Sequence, residues 1–134
     1  MPFIQWTEDL SVQIESVDAQ HKKLVGIINS LYDAMHVGKA NGIMRGILAD
    51  LAAYTAEHFS YEERLFKQYA YPGAASHHDS HGMLIGQLKD IQNKMEHGAS
   101  VSVKTFSFLK KWLTEHIMKE DHLYAQFLRA KGVH

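Results

Sequence analysis

Seven residues of this chain have the types and spacing to do chemistry together: His21, His58, Glu62, His77, His81, His116 and Asp121. They supply five imidazoles and two carboxylates. His58 and Glu62 are four apart, as are His77 and His81. On an α-helix, residues four apart share a face, about 6 Å apart along the axis. Ligand groups turned inward need a partner, because burying them unpaired is costly. A metal ion is a partner that imidazole and carboxylate share. The donor set is hard to borderline and contains no sulfur, which suits iron, manganese or zinc. Seven donors are too many for one ordinary site.

The elements that must position these residues read as four helices. Asp18 is a candidate N-cap, and after it His21, Leu24, Val25, Ile28, Leu31, Tyr32 and Met35 recur at spacings of three and four, ending near Gly38. Lys39-Ala40-Asn41-Gly42 reads as a turn. A second stripe runs through Ile47, Leu51, Tyr54, His58, Glu62, Leu65 and Tyr69 and stops before Tyr71-Pro72-Gly73. The third runs from Ala74 through His77, His81, Leu84, Leu88, Ile91 and Met95 to His97-Gly98. Ser102 is the N-cap candidate of the fourth, which carries Phe106, Leu109, Trp112, Leu113, His116, Ile117, Tyr124 and Phe127. The helices are expected at about 18–38, 41–70, 74–97 and 102–129. Residues 1–17, with Pro2, Phe3, Trp6, Val12 and Ile14, show no helical period and read as an extended arm packed on the body. The expected architecture is all-α: an antiparallel up-down-up-down four-helix bundle with an extended N-terminal arm, in one domain over 1–134.

In such a bundle, height along the axis is set by distance from each turn. His21 begins the first helix, His58 and Glu62 lie late in the second, His77 and His81 begin the third, and His116 and Asp121 lie late in the fourth. All seven fall in one layer at one end. Met35, Leu51, Leu88, Ile91 and Phe106 occupy the other end as ordinary packing. Met83, Met95 and Met118 read as gap-filling core. Gly82 and Gly86, beside His81, either allow a close helix approach or are simply tolerated. Glu63 and Glu115 could accept hydrogen bonds from ligand imidazoles, although solvated carboxylates are the plainer reading. His78 and His122 neighbour the donors and point away.

The fourth helix leaves a choice open. His116 and Asp121 are five apart, so a regular helix points them about 140° apart. Glu120, four after His116, would project beside it better. A π-type bulge, or an aspartate reaching in from the flank, would favour Asp121.

Composition narrows the function classes. There is no cysteine, which excludes thiolate metal sites, iron–sulfur clusters, thiol catalysis and disulfides. The balance of 14 Lys+Arg against 15 Asp+Glu gives no basic stripe, so nucleic acid is not an expected partner. No apolar run approaches the ~18 residues that insertion across a bilayer needs. The start, MPFIQWTEDL, lacks the basic and apolar regions of a signal peptide. A cytoplasmic location is expected, and a monomer, since no large apolar surface stripe is evident.

The ordered set resembles the hemerythrins. That family has a lone His on the first helix, HxxxE on the second, HxxxH on the third and HxxxxD on the fourth. Here these are His21, His58-Phe59-Ser60-Tyr61-Glu62, His77-His78-Asp79-Ser80-His81 and His116-Ile117-Met118-Lys119-Glu120-Asp121. Trp6 and Tyr71-Pro72 also match, and the resemblance covers essentially the whole chain. It favours Asp121 over Glu120. It implies two non-heme iron ions with a solvent-derived oxo or hydroxo bridge, spanned by Glu62 and Asp121. His77, His81 and His116 would bind one iron, and His21 and His58 the other. The open position on the second iron is where dioxygen is expected. The resemblance also implies a dry pocket, for which Leu24, Phe59, Trp112, Leu113 and Ile117 are candidates, each within a turn of a donor. None of these supplies an obvious general acid, which favours binding dioxygen over cleaving it, with no catalytic residue. The implied role is reversible dioxygen binding for transport, storage or delivery, with an oxygen-consuming enzyme as a possible recipient. The alternatives are an oxygen or redox sensor and a di-iron oxidase or peroxidase. Ferritin-like enzymes use more carboxylates and Glu-x-x-His pairs, which this chain lacks.

Overall fold

In the computed structural model, residues 3–38, 41–98 and 103–134 are described. The proposed turn at Lys39-Ala40, the Ser102 cap and Pro2 of the arm lie outside them. Helix α1 spans Glu15–His36, α2 Asn41–Tyr69 and α3 Ala74–Glu96. The fourth rod has three parts: α4 (Val103–His116), a π-helical turn (Ile117–Asp121) and α5 (His122–Ala130). The backbone stays right-handed helical through both junctions, at His116 and His122. Among the described residues there is no strand.

Cross-contacts fix the packing as antiparallel. Ser16 reaches Tyr61 and Gln20 reaches His58, so residue numbers rise along α1 as they fall along α2. Phe59 meets His81 and Phe66 meets His77, and His81 meets His116 while His77 meets Tyr124, which sets α3 against both neighbours in the same way. The four-helix bundle follows, with the core on the apolar stripes: Leu24, Ile28 and Leu31 of α1, Leu48 and Leu51 of α2, Leu84 and Leu88 of α3, and Phe106 and Leu109 of α4. Each such side chain contributes about 1.5–3 kcal/mol on burial.

Helix α1 starts at Glu15, one turn earlier than Asp18 predicts. Asp18 lies inside the helix, and its carboxylate accepts from the Ser11 hydroxyl and from Val12 N–H at 2.8 Å. It therefore ties the arm down rather than capping α1. Asn29 holds Ile4 by both backbone groups, at 2.8 and 2.9 Å, and Arg129 donates to the Val12 carbonyl. The arm is mainly extended but contains a 3-10 turn at Glu8–Leu10, and it buries Ile4, Leu10, Val12 and Ile14.

Two core assignments need correction. Met83 is 70% exposed and Met118 51%, while Met95 is buried. Each exposed methionine follows an inward histidine by two residues, which turns it about 200° around the rod. A Cβ added at Gly82 or Gly86 would meet nothing within 4 Å, so neither glycine serves a close helix approach. No helix among the described residues is long and apolar enough to cross a membrane.

Candidate metal centre

The four rods bring all seven donors into one buried layer; Glu62 and Asp121 have no exposed surface. The Glu62 Oε1 atom lies 3.2 Å from His58 Nε2 and 3.2 Å from His81 Nε2. Asp121 divides its two oxygens. Oδ1 is 3.0 Å from His77 Nε2 and 3.1 Å from His116 Nε2, while Oδ2 is 3.1 Å from His21 Nε2. The ligand atoms of Glu62, His77, His81 and His116 lie within 4.8 Å of one another, and so do those of His21, His58, Glu62 and Asp121. Three histidines thus gather on one side of the carboxylates and two on the other.

The π turn explains how Asp121 enters this layer. The His122 N–H bonds to the Ile117 carbonyl, five residues back. The extra residue in this turn rotates Asp121 under His116, where a regular helix would turn it away. Glu120 takes the place the regular spacing gives it, but against His116 Nδ1, on the outside of the ring.

Rings hold the imidazoles in position. Phe59 stacks on His81 at 3.6 Å between centroids, and Trp112 on His116 at 4.7 Å. Phe66 and Tyr124 meet His77 edge-on at 4.9 and 5.3 Å. Outer hydrogen bonds fix the tautomer that leaves Nε2 facing inward. The His58 Nδ1–H donates to Gln20 Oε1 at 2.5 Å, and His81 Nδ1–H to Glu63 Oε2 at 3.3 Å. Sequence reasoning named Glu63 only as a weaker option and missed Gln20. Glu115 is exposed, and His78 is exposed and pairs with Glu63. The position of Gln20, one residue before His21, was the only available signal.

The charges are mutually dependent. Burial and the Asp121 charge push Glu62 up, yet His58 and His81 outweigh them and hold it at about 2. Asp121 is raised by burial but held well below the usual carboxylate range by His116, His21 and His77. Burial opposes a charge on His116, but Asp121 with Glu62 and Glu120 raises it to about 9. Burial, and then the nearby Glu62 and Asp121 charges, push the Tyr124 phenol well above its ordinary value.

The donor set fits a cation pair on direct observation. Nε2 of His21, His77, His81 and His116, and both oxygens of Glu62 and of Asp121, are buried with no hydrogen-bond partner among the described residues. Native interiors rarely leave so many polar atoms unsatisfied unless an ion completes them. Beside the layer lies an apolar cavity. Leu24 and Ile28 line it from α1, Leu51 and Thr55 from α2, Leu84 and Leu88 from α3, and Leu109, Trp112 and Leu113 from α4. It leaves about 10 Å³ for the centre of a water-sized guest, room for one small molecule. Of the five pocket candidates, Leu24, Trp112 and Leu113 line this cavity. Phe59 and Ile117 are buried next to the donors without lining it.

The fold and site define a class: a four-helix bundle with a buried, histidine-rich donor cluster suited to a pair of metal ions. The chain belongs to the hemerythrin family; the Hemerythrin HHE cation binding domain matches residues 12–128. It is 33% identical over 132 residues to a bacteriohemerythrin of Methylococcus capsulatus, covering 97% of this chain and 100% of that one. It is 30% identical over 129 residues to a bacteriohemerythrin of Pseudomonas aeruginosa, covering 96% and 84%. A crystal structure of wild-type hemerythrin superposes with a TM-score of 0.87 at 31% identity, over 92% of this chain and 96% of that one. The cofactor of the family is a non-heme di-iron centre, and the histidine and carboxylate cluster here suits it.

Proposed function

We propose that this single-domain chain binds dioxygen reversibly at a di-iron centre, as a carrier, store or delivery protein. The observation that carries the reading is the three-to-two division of histidines about shared carboxylates, with an apolar cavity beside it. His77, His81 and His116 would hold one iron, His21 and His58 the other, and Glu62 and Asp121 would span both. The bound iron pair supplies the two electrons that dioxygen takes up and gives back.

The side chains do the rest. Two buried carboxylates would offset part of the cationic charge of the metals, which lowers the cost of burying the pair. Stacking by Phe59 and Trp112 keeps His81 and His116 from turning. The aliphatic wall of Leu24, Leu84 and Leu113 excludes water. Thr55, the one hydroxyl on the cavity wall, donates its proton to the Leu51 carbonyl at 2.6 Å, so it does not offer that proton to a guest. With that hydroxyl engaged and no acidic side chain on its wall, the cavity favours release of dioxygen over its reduction. We further read the protein as a cytoplasmic monomer that could pass dioxygen to an oxygen-consuming enzyme.

The test is spectroscopic. Ferrous iron is loaded without oxygen, oxygen is added, and the visible spectrum is followed as the oxygen is removed. A charge-transfer band that appears and bleaches over repeated cycles supports the reading. Immediate conversion to a stable ferric form that turns over an added reductant would replace it with an oxidase.

A further inference from the structure

The outward ring nitrogens of His81 and His116 face carboxylates, whereas that of His58 faces an amide. On the three-histidine side, a carboxylate stands behind His81 (Glu63) and another behind His116 (Glu120). Each carboxylate is clamped by its other oxygen from α3. His78 pairs with Glu63 Oε1, and the Ser80 hydroxyl donates to Glu120 Oε1 at 2.7 Å. On the two-histidine side, His58 has the neutral amide of Gln20.

We propose that Glu63 and Glu120 are positioning residues that make the three-histidine metal position the one that keeps the higher oxidation state, while Gln20 leaves the two-histidine position the more easily reduced. The proposal rests on the di-iron reading above. A carboxylate behind an imidazole N–H draws the proton outward and makes the opposite nitrogen a stronger donor. Hydrogen bonds to an ionised acceptor are about twice as strong as those to a neutral one. A stronger donor favours ferric over ferrous iron. The clamps keep each carboxylate in place although both are partly open to solvent. The arrangement suits the proposed role: the iron remote from the open position gives up its electron readily, and the iron with the open position keeps the weaker donors.

The test uses the iron-loaded full-length chain. After the iron count is taken, the diferric protein is titrated with dithionite, and ferrous iron is followed by Mössbauer spectroscopy. Each of the two steps takes one electron from the reductant and converts one ferric ion to ferrous. Glu63→Gln and Glu120→Gln keep shape and remove charge. Each is expected to raise the lower midpoint by about tenfold in the oxidised-to-reduced ratio, about 59 mV for one electron, and to move the upper one much less. Gln20→Glu is expected to lower the upper midpoint and narrow the gap.

Equal movement of both midpoints, or movement of neither, with two irons still bound, overturns the proposal. If a glutamine variant loses iron, Gln20→Glu decides, since it touches no residue of the three-histidine side; an unmoved upper midpoint then rejects the polarity. A wild-type chain that does not hold two irons fails the di-iron reading itself, before any potential is measured.

Discussion

Glu120 and Asp121, adjacent in sequence, contact opposite nitrogens of one imidazole: Glu120 lies against His116 Nδ1, and Asp121 Oδ1 stands 3.1 Å from His116 Nε2. The π turn makes this possible, because it sets residue i+5 where i+4 would otherwise lie. The two acids therefore divide the work. Asp121 is buried and faces both halves of the centre, while Glu120 stays at the rim. Asp121→Ala should leave a chain that holds at most one iron, while Glu120→Ala should still hold two with affinity lowered about 10–100-fold. Anaerobic ferrous titration of each variant measures both.

The same histidine predicts how stability depends on pH. In metal-free protein His116 is raised to about 9, so its contribution is fully present below the ordinary value of about 6.5 and is lost as pH rises through about 9. Glu62 is lowered to about 2, so its contribution is present above about 4.5 and is lost as pH falls toward 2. The thermal midpoint of the metal-free protein should therefore decline on both sides of a plateau between about pH 4.5 and 6.5, as followed by circular dichroism. Iron binding must displace the His116 proton, so loading near pH 7 should release protons into a weak buffer, and affinity should rise toward pH 9.

The dry wall gives a third expectation. Leu113 is buried beside the donors and lines the cavity. Leu113→Ala should cost about 2–5 kcal/mol in stability and open room for water. The oxygenated form should then decay to ferric protein several-fold faster, read as the loss of the reversible band with time.

The turn that ends helix α2 carries a small backbone cost that can be recovered. Ala70 has φ of 54°, in the left-handed region where glycine is at ease, and Tyr71 N–H closes the helix on the Phe66 carbonyl at 2.9 Å. Ala70→Gly relieves about 1–2 kcal/mol of strain and adds about 0.4–1 kcal/mol of unfolded-state entropy. A net gain of about 0.5–1 kcal/mol is expected in urea unfolding of the iron-loaded chain, with the iron content unchanged.

These results show which features a sequence can carry. The four helices were legible because each has an apolar stripe at helical period, and the common layer followed because antiparallel topology converts distance from a turn into height. The π turn was legible only as one of two ways to bring in Asp121, which the family resemblance favoured and spacing did not. Nothing in Ile117-Met118-Lys119-Glu120-Asp121 marks an extra residue, and regular spacing pointed to Glu120. The role of Asp18 was hidden for a related reason: a capping residue and an arm anchor look alike until the partners Ser11 and Val12 are placed. Gln20 is an ordinary polar residue until the antiparallel pairing of α1 and α2 brings it to His58. Met83 and Met118 read as core by residue type, although their position two residues after an inward histidine already turns them outward.

The central claim is tested most directly by the gas itself. The chain is loaded with two ferrous ions without oxygen, given a measured amount of dioxygen, and then degassed. The account predicts uptake of one dioxygen per two irons and recovery of the same amount as dioxygen, repeatedly. Uptake without recovery, with the oxygen found as peroxide or water and the iron left ferric, would contradict it.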